Sequence, residues 1–319
     1  MRILITGGAG FIGSHLAEHY QGRAEVRVLD NFRSGRRRNL EGMQVELIEG
    51  DICDAATVRR AVAGIEVIYH LAALVSVPES VSNPEECRRI NIDGTVNILE
   101  AAAASGVRKV LFASSAAIYG DNPAVPKVET MTPEPGSPYA ATKLEGEQLS
   151  DACRRDRGLH TACLRFFNVF GPRQDPRSAY AAAVPIFMER ALRNEPLTIH
   201  GDGAQTRDFI YVKDIVGALV HLSEHQELAG VYNAGYGGSV TISELARAII
   251  RLAGSSSGIL HAGERPGDVR HSRAAVDKLL ATGWRPQHTV QQALHATLAA
   301  FRAALAGRSE AKPAPPLPG

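Results

Sequence analysis

The sequence predicts an α/β fold, a doubly wound parallel sheet joined to a smaller mixed α/β lobe toward the C-terminal end. Three observations carry this. Short β-branched runs alternate with amphipathic stretches through the first half of the chain, the rhythm of successive βαβ units. A glycine-rich turn at residues 6–13 (TGGAGFIG) directly follows the first run and opens a helix. After about Gly171 the rhythm changes: Pro172, Pro176 and Pro185 interrupt it, and short strands mix with helices.

Taken in order, the expected strands are 2–6, 25–30, 44–49, 67–71, 109–113 and 160–166. The expected helices between them are 11–20, 55–63, 84–104 and 138–157. Right-handed crossovers would join these elements into one sheet. The first domain is placed at residues 1–171, with a return to it allowed within 205–235. Residues 172–308 are expected to form mainly a substrate lobe. Within it, Thr241 and Glu244 have the spacing of a capping box at the start of a helix. The Pro-rich stretch 309–319 is expected to stay extended or disordered.

Composition narrows the function classes. The 319 residues carry 35 Lys+Arg against 34 Asp+Glu, a formal net charge of +1, so no basic face for nucleic acid is expected. No apolar run approaches the roughly 18 residues a membrane span needs, and no basic segment with a long apolar core opens the chain. Cys53, Cys87, Cys153 and Cys163 lie far apart without clustered His, so neither a disulfide framework nor a metal site is expected. A cytoplasmic location is the expectation.

Gly7, Gly10 and Gly13 sit where a chain must turn tightly and let its backbone approach a pyrophosphate at a helix N-terminus. The spacing is G-x-x-G-x-x-G, and Phe11 and Ile12 lie inside it. Asp30, 17 residues beyond Gly13, ends the second strand where an acid can bind ribose hydroxyls. A carboxylate there favours NAD over NADP; Arg33 and the Arg36-Arg37-Arg38 run are read as solvated loop. Asn31, Ser34 and Gly35 follow, Asp51 and Ile52 are placed to meet the adenine, and Leu71, Ala72, Ala73 and Phe166 complete the expected cofactor contacts. At the other end, Tyr139 and Lys143 share one helix face and Ser115 closes a strand. A phenol of ordinary pKa about 10 is a poor base at neutral pH. A neighbouring ammonium and a positive nicotinamide ring would favour the phenolate.

With these motifs the chain resembles an extended short-chain dehydrogenase/reductase, the family of nucleotide-sugar epimerases and dehydratases with a Rossmann cofactor domain. The resemblance implies tightly held NAD and a Ser115, Tyr139, Lys143 catalytic set in which Ser115 and Tyr139 engage the sugar 4-hydroxyl. The family's dehydratases carry an Asp-Glu pair after the serine, and its decarboxylases a Glu; here the run is Ser115-Ala116-Ala117, so the chain is similar to a 4-epimerase. Ala117 departs from the hydroxyl residue many epimerases place there. The resemblance further assigns Asn168, Arg207, Arg265 and Asp268 to the nucleotide diphosphate and ribose. Ser76, Ala183, Val184, Thr198, His200 and Ser272 complete the expected substrate contacts. Small Ser272 would leave room for an N-acetyl group at C2. The implied activity is C4 epimerisation of UDP-GlcNAc/UDP-GalNAc and of UDP-Glc/UDP-Gal by a homodimer. The alternatives are a UDP-glucuronate 4-epimerase, a net dehydrogenase or reductase, and a non-catalytic nucleotide sensor.

Overall fold

In the computed structural model, residues 1–176, 182–264 and 269–310 are described. The cofactor half contains β1 (Arg2–Thr6), β2 (Glu25–Asp30), β3 (Glu46–Glu49), β4 (Val67–His70), β5 (Lys109–Ser115) and β6 (His160–Phe166). The remaining strands are β7 (Asn168–Phe170), β8 (Leu197–His200), β9 (Thr206–Arg207), β10 (Phe209–Tyr211), β11 (Gly230–Ala234), β12 (Val240–Thr241) and β13 (Ile259–Ala262). Seven of these make one parallel sheet, β3-β2-β1-β4-β5-β6-β11, a Rossmann order with an added edge. The seventh strand arrives only after a long excursion, and the run at 230–234 carries no local signal distinguishing it from the short lobe strands.

Both faces of the sheet are covered, so successive side chains of β1 enter different cores. Ile3 and Ile5 pack in one, and Leu4 packs in the other. Helices α1 (Phe11–His19), α2 (Ala55–Val62), α3 (Val77–Ser82), α4 (Pro84–Arg88), α5 (Gly94–Ala104) and α6 (Pro138–Arg157) belong to the cofactor half. A third core, containing Phe170, Phe187, Ile199, Leu245 and Leu298, holds the lobe together. It is built around α7 (Ala183–Leu192), α9 (Ile242–Ala253) and α11 (Val290–Glu310), while α8 (Val212–Glu224) packs on the sheet and α10 (Asp277–Ala281) beside β11. The Thr241–Glu244 capping box is formed.

Local chemistry explains the helix that matters most. Ser137 accepts a bond from the Ala140 amide, Pro138 fills the first turn, and Gly158 ends α6 in the left-handed region. Its bounds match the expected 138–157. The expected helix 84–104 is instead interrupted by a π-helical turn at Arg89–Asp93. The wide turn accommodates Asn91, which clasps the Leu74 backbone at both its amide (2.7 Å) and carbonyl (3.0 Å), and donates to Thr142 on α6 at 3.0 Å. Such turns are read from tertiary partners, not periodicity.

Buried charge ties α6 to the sheet. Glu147 accepts from Arg165 on β6 at 2.9 and 2.8 Å and from Ser114 on β5 at 2.5 Å. Arg165 continues to the Tyr119 hydroxyl at 2.9 Å, which donates to Asn233 on β11 at 2.6 Å. No helix of the described residues is long and apolar enough to cross a membrane. Among the described residues no three His, Cys, Asp or Glu side chains converge as a metal site requires. Because the Glu147 and Arg165 side chains are only 5% and 4% exposed, removing one partner strands the other in a dry core. Glu147→Ala should therefore lower unfolding free energy by about 3–5 kcal/mol in denaturant titrations, and a loss below about 1 kcal/mol would show the pair contributes little.

Candidate active site

The glycine turn is shaped by what its Cα atoms touch. Gly7 has φ of +69°, and a Cβ there would stand 2.9 Å from the Ala72 amide nitrogen. A Cβ on Gly13 would overlap the Gly7 carbonyl oxygen and lie 2.7 Å from Gly8 Cα. Side chains are excluded at both points, which leaves a concave backbone surface at the N-terminus of α1.

A buried chain of hydrogen bonds fixes the adjoining end of β4. The Ala72 amide donates to Thr6 Oγ1 at 3.2 Å, and Thr6 Oγ1 lies 2.7 Å from His70 Nδ1. His70 Nε2 lies 2.9 Å from Thr95 Oγ1, whose hydroxyl donates to the Asn91 carbonyl at 2.6 Å. Because the Thr95 hydroxyl donates to Asn91, Nε2 carries the ring proton and donates to Thr95, while Nδ1 accepts from Thr6. Burial drives the His70 pKa down to about 3, so the neutral ring persists across ordinary pH.

Asp30, at the end of β2, accepts from the Ala9 amide at 2.9 Å and the Phe32 amide at 2.8 Å. Gly35 packs on it so closely that a Cβ would lie 2.9 Å from both carboxylate oxygens. The nearby arginines face acids: Arg33 bridges Glu79 and Glu86, Arg36 reaches Asp175 at 3.1 Å, and Arg37 pairs with Glu49. A cavity of about 960 Å³ runs from here to Ser115, Tyr139 and Lys143. Its wall includes Gly7, Gly10, Phe11, Ile12, Gly13, Asp30, Asn31, Ser34, Asp51, Ile52, Leu71, Ala72, Ala73 and Phe166, leaving Gly35 behind Asp30.

Ser115, Tyr139 and Lys143 line the same cavity. Ser115 caps the short turn Ala116–Tyr119, its hydroxyl oxygen accepting from the Ala117 amide at 3.1 Å. Lys143 donates to the Ala113 carbonyl at 2.8 Å and stands 5.9 Å from the Tyr139 ring centre. Burial lowers the Lys143 pKa to about 8. It also pushes the Tyr139 phenol up, against the opposing effect of its hydrogen bond to Ser115. Of the two charges expected to favour the phenolate, the ammonium alone does not outweigh burial. A further positive charge in the cavity would favour the ionised form of Tyr139.

Apart from Ser115 and Tyr139, the described residues expected for a sugar nucleotide do not line this cavity, and all of these but Ser76 lie in the lobe. Asn168 opens β7 and bonds the Asp208 carbonyl from both its amides, each at 3.1 Å. Ala183 opens α7, next to wall residue Ala182, and Val184 is buried in the lobe core. Thr198 and His200 alternate on β8, their side chains bonded to Arg190 at 2.9 Å and to the Gly263 carbonyl at 3.1 Å. Arg207 ends β9, and Ser272 hangs from its neighbour Thr206 through a 3.1 Å backbone bond. Ser76 caps α3 by accepting from the Glu79 amide at 3.1 Å. Arg265 and Asp268 lie outside the described residues. Sequence reasoning missed the Thr6–His70–Thr95 chain, Asn91 and Glu147. It also missed α11, whose Ala300, Phe301, Ala304 and Leu305 form part of the cavity wall.

A glycine cradle, an acid at the end of β2 and a Ser-Tyr-Lys set on β5 and α6 define a dinucleotide-dependent enzyme of the short-chain dehydrogenase/reductase kind. The chain belongs to the NAD dependent epimerase/dehydratase family, whose model matches residues 3–235, and NAD is its cofactor. It is 38% identical over 312 residues to a UDP-glucose 4-epimerase of Mycolicibacterium smegmatis, covering 95% of this chain and 99% of that one. A UDP-N-acetylglucosamine 4-epimerase from Methanobrevibacter ruminantium, solved with UDP-N-acetylmuramic acid, superposes with TM-score 0.92 at 37% identity, over 95% of this chain and 98% of that one. A Thermus thermophilus UDP-glucose 4-epimerase complexed with NAD gives TM-score 0.88 at 39% identity, over 95% and 100%.

The cradle fits NAD because it presents backbone and no side chain to a pyrophosphate. Gly13→Ala should therefore abolish retention of NAD through purification, read as nucleotide released on denaturation, while the far-ultraviolet spectrum stays unchanged. Full retention would show that the cradle tolerates a methyl group.

Proposed function

We propose that this protein is a UDP-hexose 4-epimerase that interconverts UDP-GlcNAc and UDP-GalNAc, and UDP-Glc and UDP-Gal. The observation that carries this reading is the pairing of an intact Ser115, Tyr139, Lys143 set with an acid-free turn beside it. Residues 116–118 are Ala, Ala and Ile, and the Tyr119 hydroxyl is spent on Asn233. Elimination of a sugar hydroxyl needs an acid to protonate the departing oxygen, and nothing on this turn supplies one. A glucuronate carboxylate would likewise find no donor there.

Glycine-loop amides would receive the pyrophosphate of NAD, Asp30 its adenosine ribose, and Lys143 the nicotinamide ribose. Bound NAD supplies the site from which a hydride from C4 is taken up and returned. Tyr139 removes the O4 proton, and Ser115, anchored by the Ala117 amide, donates to the same oxygen and orients it. Lys143, fixed by the Ala113 carbonyl, favours the phenolate once positive charge is added beside it. The resulting 4-keto sugar must turn over between the two transfers, and Tyr139 then returns the proton. No net oxidation occurs, so the cofactor need not leave, and this distinguishes the reading from a net dehydrogenase. Small Ser272 supports acceptance of N-acetylated sugars, and relatives named for both sugar types agree with a permissive pocket.

Purified protein given UDP-GlcNAc without added cofactor should form UDP-GalNAc, with deuterium at C4 retained. Tyr139→Phe should lower kcat by about 10²–10⁴-fold. A wild-type protein that leaves C4 untouched in all four sugars would sink the proposal. Ser272→Tyr should lose the N-acetylated substrates and keep the glucose/galactose pair, measured as kcat/KM for each; equal loss of both removes Ser272 as the size gate.

A further inference from the structure

We infer that Asp208 is a positioning residue for the sugar-nucleotide site, because its buried carboxylate ties the turn after β11 and the segment carrying Ser272 to the Arg207 strand, while its backbone carbonyl holds Asn168. The inference rests on the epimerase reading for the identity of the ligand. It does not depend on the cofactor.

Asp208 joins β9 to β10 and has no exposed surface. Its Oδ1 accepts from the Tyr236 amide at 2.9 Å, and its Oδ2 from the Gly237 and Ala274 amides, each at 3.0 Å. Its own carbonyl receives both bonds of Asn168. One residue thus joins the Arg207 strand, the start of β7, the turn after β11 and the segment carrying Ser272. No ion pair neutralises the carboxylate among the described residues, so its partners are backbone amides that no helix or sheet would otherwise satisfy.

The segment 270–275 depends on such ties. It has no regular structure of its own and hangs by backbone bonds from Thr206 on one side and Lys127 on the other. Between these, the Ala274 amide reaches Asp208, two residues from Ser272. Gly235 seals the arrangement: a Cβ there would lie 2.7 Å from Ala274 Cβ and 2.9 Å from Asp208 Oδ2. An apolar residue at 208 would leave three backbone donors unmet, that of Ala274 fully buried. An amide would point its own N–H groups at backbone N–H groups. Either change releases the loops that present the nucleotide contacts, while Ser115, Tyr139 and Lys143 stay on β5 and α6.

Two substitutions strain the knot independently, Asp208→Asn by chemistry and Gly235→Ala by volume. Both are to be made in the full chain carrying its NAD and titrated with UDP by calorimetry. Epimerase kinetics and bound NAD content are measured alongside. We expect Kd for UDP and KM to rise about ten-fold in each, the scale of one lost buried hydrogen bond, with kcat and NAD content nearly constant. A residue that only supports the fold would instead lower kcat, NAD content and thermal stability together, leaving Kd of the folded fraction unchanged. That pattern, or unaltered Kd in both variants, overturns the inference. Should Asp208→Asn fail to fold, Gly235→Ala decides alone. Wild-type protein that binds no UDP would overturn this inference and the sugar-nucleotide reading together, whereas UDP binding with unaffected variants overturns only this one.

Discussion

Everything in the cofactor half is arranged around the close approach of the glycine turn to the end of β4. At the β1/β4 boundary neighbouring strands feed crossovers to opposite faces, and the crevice between them is where a parallel sheet can hold a ligand. Gly7 meets the Ala72 backbone there with no space for a side chain, and Thr6 bonds both Ala72 and His70. The same hydrogen-bonded chain reaches Thr95 and the π-helical turn, whose Asn91 holds Leu74 and Thr142. Cradle, cavity wall and α6 are therefore parts of one rigid polar construction inside an apolar sheet.

A second network performs the equivalent task for the chemistry. Tyr139, Lys143 and Glu147 repeat every four residues on α6, so one helix face carries the phenol, the ammonium and the buried carboxylate. Glu147 grips Arg165 and Ser114, neighbours of Phe166 and Ser115 in the cavity wall. Low dielectric around such groups makes unmet bonds expensive, which restricts the helix to one position against the sheet. The same enclosure raises the phenol and lowers the ammonium, so burial alone works against the ionised form of both groups.

What the sequence made legible follows from range. Strand alternation, the glycine turn and the caps of α6 are local, and they specify six strands, the cofactor loop and the 138–157 helix closely. Partners distant in sequence leave no such trace. The strand β11 looks like any short lobe strand until it pairs with β6. The π-helical turn exists because Asn91 meets Leu74 and Thr142, and Asp208 matters through amides 28, 29 and 66 residues away. The proposed substrate contacts rest on resemblance to a family, since an arginine in a loop has no periodicity that reveals a phosphate.

The last helix adds an ordering in time. Ala300, Phe301, Ala304 and Leu305 are wall residues of a cavity whose wall also includes Gly7, Gly10, Phe11, Ile12 and Gly13. A chain emerging from the ribosome can assemble β1 to β6 early, since domains fold as their segments emerge. It nevertheless lacks the β11 edge until residue 234, and one wall of the cofactor cleft until residue 305. A nascent chain stalled short of α11 would therefore leave that part of the cavity wall open to solvent.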